Sequence, residues 1–247
     1  MEKITGRRNP LCVHFKKLGT DRDYRAESGE FLCDGLKLLV EADRSGAEIV
    51  AVLTCDHLPF PLPLDTKVYL TDSSIINSIS PLKNAQTVLF SCKIPQKSDE
   101  VSTTGTSLLL DGLQDPGNVG TIMRTANAFS IDNIILTGAC ADVYNPKTIR
   151  ASMGAVFRQT FRYMSPSELK QLKEKGTRFV GASLGSGSVD VTEVNLKNAL
   201  IAIGSEGRGL SPDVLALCDE KVLIPISPEC ESLNAAIAAA ILIWNAR

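Results

Sequence analysis

The sequence lacks the features that mark membrane and secreted proteins. No apolar run approaches the roughly 20 residues that a membrane helix needs. The N-terminal segment MEKITGRRNPLCVHFKK has no apolar centre of the kind found in secretory signals. These absences predict a soluble, cytoplasmic protein that has no membrane partner.

Residues suited to metal binding or histidine-dependent catalysis are also scarce. The chain has seven cysteines and two histidines, and no two cysteines form a CxxC pair. An odd, dispersed set of cysteines is typical of reduced thiols in a cytosolic protein. Since both histidines, His14 and His57, lie in the first quarter of the chain, the sequence argues against a zinc site and a Ser-His-Asp triad. We expect no metal.

The charge is unevenly distributed. The net charge of -2 does not favour nucleic acid as a partner, but residues 1–25 hold seven basic residues and three acidic ones. Phosphate neutralisation by Lys and Arg supplies much of the affinity for nucleic acids. Four of these residues are therefore candidates for RNA binding: Arg7, Arg8, Lys16 and Lys17. A solvated N-terminal arm explains the same surplus equally well.

The first part of the chain predicts a small α/β domain over residues 1–95. Apolar residues between Phe31 and Val40 have the spacing of one helical face, and this helix is expected to end at Gly46. Strands are predicted at EIVAVLT, KVYL and TVLFSCKI, and a short helix near residues 73–80. A polar stretch without periodicity then predicts a linker over residues 96–106.

Residues 107–247 alternate between strand-like and helix-like segments. Such alternation predicts a parallel sheet with helices on both faces. Three of the strands are followed by unusual sequences: DGLQDPGNVG, GSEGRGLSP and IPISPECESLN. Ligands of open α/β sheets bind beyond the carboxyl ends of the strands, so we expect these loops to lie close together.

The first of these motifs predicts the start of a helix. Asp115 is suited to the N-cap and Pro116 to the first helical position. Asn118 then falls in the first turn near the edge of the sheet, and Arg124 lies off the expected buried stripe of Ile122, Ala126 and Phe129. Periodicity alone explains both polar residues equally well as surface positions.

The second motif is a glycine-rich loop that contains a carboxylate. Glycines permit the positive φ angles with which such loops often close around a phosphate. Glu206 would repel a phosphate, and the chain has neither the GxGxxG pattern after its first strand nor a GK[ST] sequence. The motif therefore argues against a dinucleotide-binding or P-loop enzyme.

The third motif leads into an apolar C-terminal helix, which we expect to begin near Glu231. Its apolar residues fall at helical spacing: Leu233, Ile237, Ala240 and Trp244. Its many alanines would allow close packing against another helix, including one from a second subunit.

In this order and spacing, the three motifs resemble the SpoU (TrmH-like) family of RNA 2′-O-ribose methyltransferases, in the SPOUT superfamily. The resemblance covers residues 105–247, whereas residues 1–95 resemble more weakly the substrate-binding domain of many members, through RNPLCVHFKKL and FLCDGLKLLVEA. It implies methyl transfer from S-adenosylmethionine to a ribose 2′-hydroxyl in ribosomal RNA or tRNA. A deep trefoil knot and a homodimer with a shared active site are also implied. Since domains of this N-terminal type are commoner in ribosomal RNA enzymes, the resemblance favours ribosomal RNA.

The resemblance also assigns roles to individual residues. Three positions match those whose backbone groups hold the adenosyl part of the cofactor: Gly204, Ile224 and Leu233. Five positions match the catalytic set: Asn118, Arg124, Glu206, Ser232 and Asn234. Arg124 matches the catalytic arginine. Because a guanidinium is not deprotonated in proteins, we assign it to phosphate binding and oxyanion stabilisation.

Some details stay open at this stage. Asn118 and Asn234 match positions that orient the ribose and the arginine, while Glu206 could contact the cofactor, the ribose or Arg124. The third motif departs from the common pattern at Pro228, Ala235 and Ala236, which leaves the details of the cofactor loop open. A non-catalytic RNA-binding protein of the same fold is the alternative function, but the full catalytic set argues against it.

Overall fold

The computed structural model describes residues 2–83, 85–95 and 105–247. Apart from residues 105 and 106, the predicted linker of residues 96–106 lies outside the described residues. The contacts divide the chain into two compact units. The first unit comprises Met1–Gln96 and Asp142–Arg158, and the second unit comprises Lys97–Ala141 and Gln159–Arg247. Asp142–Arg158 thus belongs to the first unit by its contacts, although the alternating pattern continues through it.

The first unit contains a mixed five-stranded sheet. Its elements, numbered in chain order, are β1 Glu2–Ile4, α1 Pro10–Thr20, α2 Arg22–Ser28, β2 Glu30–Asp34, α3 Leu36–Arg44, β3 Ile49–Thr54, β4 Lys67–Thr71, α4 Ser73–Ile79, β5 Val88–Lys93 and α6 Pro146–Ser152. The strand order is β1-β4-β3-β5-β2. β5 runs antiparallel to β2 and β3, while β4 runs parallel to β1 and β3. The predicted strands at EIVAVLT, KVYL and TVLFSCKI correspond to β3, β4 and β5.

The interpretation of residues 1–25 as a solvated arm is wrong. β1 pairs with β4, and α1 buries Cys12, Phe15 and Leu18 completely in the core of the first unit. These three residues follow the spacing of a helical face, but the charged residues between them hide the pattern. The basic segment is therefore part of the folded unit.

The predicted helix over residues 31–46 is wrong at its start. Residues Glu30–Asp34 form β2, which pairs with β5, and α3 begins only at Leu36. Gly35 separates the two elements with a φ of 113°, which non-glycine residues rarely adopt. All five residues of β2 are buried, so the strand shows no alternation of apolar and polar residues. Its apolar run was consequently indistinguishable from a helical face.

Arg25 is a buried residue rather than part of a basic surface. Its side chain is 4% exposed and its Nη2 lies 2.6 Å from Oδ2 of Asp142. Its Nε also donates to that oxygen at 3.0 Å, and its Nη1 donates to the carbonyl of Leu18 at 2.7 Å. Arg25 therefore ties Asp142–Arg158 to the rest of the first unit.

The second unit contains a seven-stranded sheet in which every pair of neighbours is parallel. Its elements are β6 Ser107–Asp111, α5 Pro116–Ala128, β7 Asn133–Thr137, β8 Phe161–Tyr163, α7 Pro166–Glu174, β9 Phe179–Ala182, β10 Val189–Asp190, β11 Leu200–Gly204, α8 Pro212–Leu215, β12 Glu220–Leu223 and α9 Ala235–Asn245. The strand order is β10-β12-β9-β11-β6-β7-β8. Leu108, Leu109 and Leu110 of β6 are consecutive and fully buried, so both faces of this interior strand are covered. The prediction of an α/β fold with a parallel sheet is confirmed.

The register of the sheet brings the first two motifs together. Asp111, the last residue of β6, lies opposite Gly204 of β11 on one side and Thr137 of β7 on the other. The loops after these three strands therefore leave the sheet at the same edge.

Two details of the helices differ from the predictions. α9 begins at Ala235, with Asn234 as its N-cap, rather than near Glu231. Two prolines and a turn at Ser227–Cys230 keep the preceding segment non-helical. Ile122 and Ala126 are buried as expected, but Phe129 is 38% exposed because α5 has already ended.

Within the described part of the chain, no helix is both long enough and apolar enough to cross a lipid bilayer.

Candidate active site

The three motifs meet in one hydrogen-bonded cluster. Nδ2 of Asn118 donates to Oε1 of Glu206 at 2.8 Å, and Nδ2 of Asn234 donates to the same oxygen at 2.8 Å. The backbone N–H of Ala235 is a third donor, at 3.1 Å. Nδ2 of Asn234 also lies 3.1 Å from Oδ1 of Asn118. The expectation that the three loops lie close together is confirmed.

Helix capping positions both asparagines in this cluster. Asp115 caps α5, since its Oδ1 accepts from the backbone N–H of Asn118 at 2.8 Å. Asn234 caps α9, since its Oδ1 accepts from the backbone N–H groups of Ala236 and Ile237. Glu206 thus lies where the first turns of two helices meet, and the exposed N–H groups of helix N-termini favour a negative charge there.

The glycine-rich loop is closed tightly on itself. A Cβ atom added to Gly204 would overlap the backbone of Gly209, so no other residue fits there without movement. Gly209 has a φ of 65°, and its N–H donates to the carbonyl of Ser205 at 2.8 Å. The N–H of Ser211 donates to Oδ2 of Asp111 at 2.6 Å, which ties the loop to the end of β6.

A cavity of about 680 Å³ lies between the loops that follow β6, β7 and β11. Asn118 and Glu206 are on its wall, and its other charged residues are Asp111, Asp115 and Arg208. The volume falls within the roughly 300–1,000 Å³ typical of small-molecule sites. Asp111, which is 6% exposed, was not singled out from the sequence, although it is the acidic residue that ends the apolar strand SLLLD.

The candidate cofactor residues do not line this cavity. Gly204 is half-buried at the end of β11, whereas Ile224 and Leu233 are half-buried in the loop between β12 and α9. Among the described residues, the hydrogen bonds within that loop run from the backbone N–H groups of Glu229 and Cys230 to Ser227. Outside the helices and strands of the described residues, the backbone groups of Ile224 and Leu233 make no hydrogen bond.

Two predicted catalytic residues lie outside the hydrogen-bonded cluster. Arg124 is exposed on α5, and Ser232 is exposed just before α9. Neither side chain makes a hydrogen bond or ion pair to any residue that the structure describes. Glu206 therefore makes none of the contacts with Arg124 that the sequence left open, and its hydrogen bonds to Asn118 and Asn234 were not predicted.

An apolar groove of about 440 Å³ runs between α5 and α9. Thr121 and Thr125 line it on one side, and Ile237 and Trp244 line it on the other. Ile237 is 54% exposed and Trp244 is 49% exposed. The apolar stripe predicted for the last helix thus faces outward in the single chain.

The four candidate RNA-binding residues are all exposed in the first unit. Arg7 and Arg8 lie in the turn before α1, and Lys16 and Lys17 lie on that helix. Nζ of Lys17 stacks over the ring of Tyr24, 5.0 Å from its centroid. Their exposure makes them available to a ligand.

The titratable side chains offer no metal site in the described residues, because no three of His, Cys, Asp or Glu group closely enough to hold an ion. All seven cysteines are free thiols, and burial raises the pKa of Cys140 near the carboxyl end of β7. Cys140 is therefore poorly suited to act as a thiolate nucleophile.

Comparison with known proteins supports this arrangement. The profile of the SpoU rRNA Methylase family matches residues 105–244. The 23S rRNA (guanosine(2553)-2′-O)-methyltransferase RlmP of Bacillus subtilis is 30% identical over 250 residues, covering 100% of both chains. An AdoMet-bound rRNA methyltransferase from Sinorhizobium meliloti superposes with a TM-score of 0.88 at 27% identity, over 100% of this chain and 97% of that one.

A second solved relative binds the same cofactor. The SpoU methyltransferase AviRb from Streptomyces viridochromogenes, in complex with AdoMet, superposes with a TM-score of 0.86 at 28% identity, over 97% of each chain. The profile match covers more than half of the sequence and includes all three motifs. The chain belongs to the SpoU rRNA Methylase family.

Proposed function

We propose that this protein is an S-adenosylmethionine-dependent enzyme that methylates a ribose 2′-hydroxyl in ribosomal RNA. The observation that carries the proposal is the cluster of Asn118, Glu206 and Asn234, in which one carboxylate joins all three family motifs. The names of the relatives support the same reaction, since those in Bacillus subtilis and Streptomyces laurentii are 23S rRNA 2′-O-methyltransferases.

The cofactor would bind beside the glycine-rich loop, against Gly204, Ile224 and Leu233. These positions are half-buried, and the backbone groups of Ile224 and Leu233 make no hydrogen bond outside the described helices and strands, which suits a flat adenine and a ribose. Glu206 fits a cofactor whose reactive sulfur is positive and which carries no phosphate. The bound cofactor would supply an electrophilic methyl group.

The residues of the chain would position the 2′-hydroxyl and stabilise the charge that develops on it. A hydroxyl is a weak nucleophile at neutral pH, so alignment of the reacting atoms and stabilisation of the oxyanion carry much of the rate. We assign the orienting role to Asn118 and Asn234, whose side chains Glu206 holds in place. We assign oxyanion stabilisation and phosphate binding to Arg124, and a polar contact at the end of the cofactor loop to Ser232.

In the single chain, Arg124 lies outside the cluster of Asn118, Glu206 and Asn234. In a homodimer, Arg124 of one chain would reach the cluster of the other chain. The outward-facing apolar groove between α5 and α9 supports this assembly, since exposed apolar patches commonly mark interfaces. We expect Ile237→Glu to produce monomers in sedimentation equilibrium and to lower methyl transfer. Leu64→Glu, at an exposed leucine of the first unit, is the matched control. A monomeric wild type of full activity would contradict the assembly.

The same family assignment leads us to propose a deep trefoil knot near the carboxyl edge of the sheet. β12 pairs with β9 and β10 towards one side of the sheet, yet α9 packs against α5 and β11. The chain after β12 therefore crosses back over the strand ends, which such a knot requires.

RNA would be held in part by the exposed basic residues of the first unit: Arg7, Arg8, Lys16 and Lys17. Their exposure next to a folded helix supports a surface role. Replacing all four by Ala should flatten the dependence of RNA binding on salt, because each phosphate contact adds about one unit to the slope. An unchanged slope would place the RNA elsewhere.

The reaction is tested with labelled S-adenosylmethionine and ribosomal RNA transcripts, and the product is mapped by resistance to alkaline cleavage. We expect methyl transfer by the wild type and a large loss of this activity in Arg124→Ala. The control variant Arg44→Ala, which alters an exposed arginine of the first unit, should keep the activity of the wild type. A wild type that binds RNA but transfers no methyl group would support the alternative, a non-catalytic RNA-binding protein.

A further inference from the structure

We propose that the cavity between the loops after β6, β7 and β11 receives the base of the target nucleotide, and that its carboxylates select guanine. The inference rests on the proposed function, because it assigns a substrate group to a cavity next to the catalytic cluster. The cavity belongs entirely to the second unit, and neither Ile224 nor Leu233 lines it.

The charges of the cavity exclude a phosphate as its ligand. Three carboxylates and a single guanidinium line it: Asp111, Asp115, Glu206 and Arg208. A phosphate placed among three carboxylates would be repelled strongly, especially where protein walls reduce solvent screening. A nucleobase is uncharged, so it enters without this cost.

Each carboxylate keeps one oxygen for a ligand. Asp111 uses Oδ2 to accept from Ser211, and Glu206 uses Oε1 for all three of its hydrogen bonds. Asp115 uses Oδ1 to cap α5. The second oxygen of each side chain accepts no hydrogen bond from a residue that the structure describes. These free oxygens can accept hydrogen bonds from the N–H groups of a ligand.

Guanine fits such a wall better than the other bases. Its Watson–Crick edge carries adjacent N1–H and N2–H donors, which two carboxylate oxygens can accept, whereas the other bases offer fewer donors on that edge. Gln114, exposed on the wall, could donate its amide to O6. Proteins recognise unpaired RNA bases by hydrogen bonds to this edge and by packing on their faces. Leu113 and Pro212 provide apolar surface for such packing.

The position of the cavity agrees with the reaction. Asn118 and Glu206 belong both to the cavity wall and to the cluster that we assign to the ribose. A nucleotide with its base in the cavity therefore has its ribose beside that cluster.

Ala139→Leu tests the cavity by filling it. Ala139 is exposed on the cavity wall, and Ala216→Leu is the matched control because Ala216 is exposed in the same unit but does not line the cavity. We expect Ala139→Leu to lower kcat/KM for ribosomal RNA at least tenfold, with S-adenosylmethionine binding unchanged within twofold. Ala216→Leu should behave as the wild type, and thermal unfolding should show that both variants fold. Parallel loss of cofactor binding in Ala139→Leu, or unchanged methylation, would overturn the assignment.

Guanine selection is tested separately. The methylated nucleotide in ribosomal RNA should be a guanosine, and Asp115→Asn, which keeps a helix cap, should raise KM for the RNA. Methylation of another nucleotide would overturn the selection. Saturation-transfer NMR with free guanosine and adenosine tests the cavity even if the wild type transfers no methyl group. Guanosine should give the stronger signal and lose it in Ala139→Leu, and equal signals or an unchanged variant would overturn the assignment.

Discussion

Two carboxylates of the first unit, Asp142 and Glu30, and those around the cavity of the second unit are paired with different kinds of donor. In the first unit, Asp142 pairs with Arg25, and Glu30 lies 3.0 Å from Nζ of Lys93 and 3.1 Å from Nε2 of His14. Around the cavity, Asp111 and Glu206 accept only from amides and backbone N–H groups among the described residues. A cation next to a carboxylate offsets its charge, whereas an amide positions the charge without offsetting it.

The difference suggests separate uses for the two sets. An ion pair inside a folded unit supports a particular arrangement of segments, and losing one partner leaves a costly unpaired charge. A carboxylate held by neutral donors keeps its negative charge available to a ligand. The first set should therefore control stability, and the second set should control activity.

The largest effect is expected from breaking the pair of Arg25 and Asp142. Arg25→Ala leaves the mostly buried carboxylate of Asp142 without its partner and should lower the free energy of unfolding by about 3–5 kcal/mol. Urea denaturation measures this change. Arg44→Ala, which removes an exposed pair with Glu41 at 4.0 Å, should cost less than about 1 kcal/mol. Equal losses in the two variants would remove the distinction between buried and exposed pairs.

The next effect concerns activity rather than stability. Glu206→Ala removes the acceptor shared by Asn118 and Asn234 and should lower kcat by about 100-fold or more, which is the size seen when one preorganised group is lost. The free energy of unfolding should change by only about 1 kcal/mol, since the freed amides can bond to water. A variant that loses stability but not activity would reverse the roles assigned to the two sets.

The pH dependence of stability should follow Glu30. Burial by itself would raise the pKa of this carboxyl, but hydrogen bonds from His14 and Lys93 lower it from 4.5 to about 2. Because the folded-state pKa lies below the unfolded one, the stabilisation is present above pH 4.5 and is lost as the pH falls towards 2. The free energy of unfolding should fall by about 3 kcal/mol over this range of pH. In urea denaturation at several pH values, Glu30→Gln should flatten this dependence, and an unaltered profile would contradict it.

The smallest effect separates the two functions of Asp115. Asp115→Ala removes the cap of α5 and should lower the unfolding free energy by about 1 kcal/mol, whereas Asp115→Asn should retain it. Thermal unfolding measures the difference. If the carboxylate also binds the RNA, Asp115→Asn should have the stability of the wild type but a raised KM for the RNA. A variant with both the stability and the KM of the wild type would limit Asp115 to capping.

The second unit could be predicted from the sequence in more detail than the first. The Asp-Pro pair marked the start of α5, and strand–helix alternation is strong when both faces of a parallel sheet are covered. The rule that ligands bind beyond the carboxyl ends of parallel strands was sufficient to predict that the loops carrying Asn118, Glu206 and Asn234 lie together. The two-residue strand β10 was missed because so short a segment carries no periodicity.

Long-range polar contacts could not be predicted. Arg25 and Asp142 are 117 residues apart, and Asp111 and Ser211 are 100 residues apart. No local pattern relates such pairs, since their proximity depends on tertiary packing. β2 was taken for a helix for a related reason, because burial on both faces removes the alternation that identifies a strand.

Glu206 occupies the starts of two helices at once, through Asn118 in the first turn of α5 and Ala235 at the start of α9. These helices also form the two sides of the apolar groove. A ligand that draws the carboxylate away would weaken the electrostatic anchoring of both helices at the end where they meet. Occupancy of the site and the width of the groove should therefore be thermodynamically linked, and a second chain bound in the groove should alter affinity for ligands at Glu206.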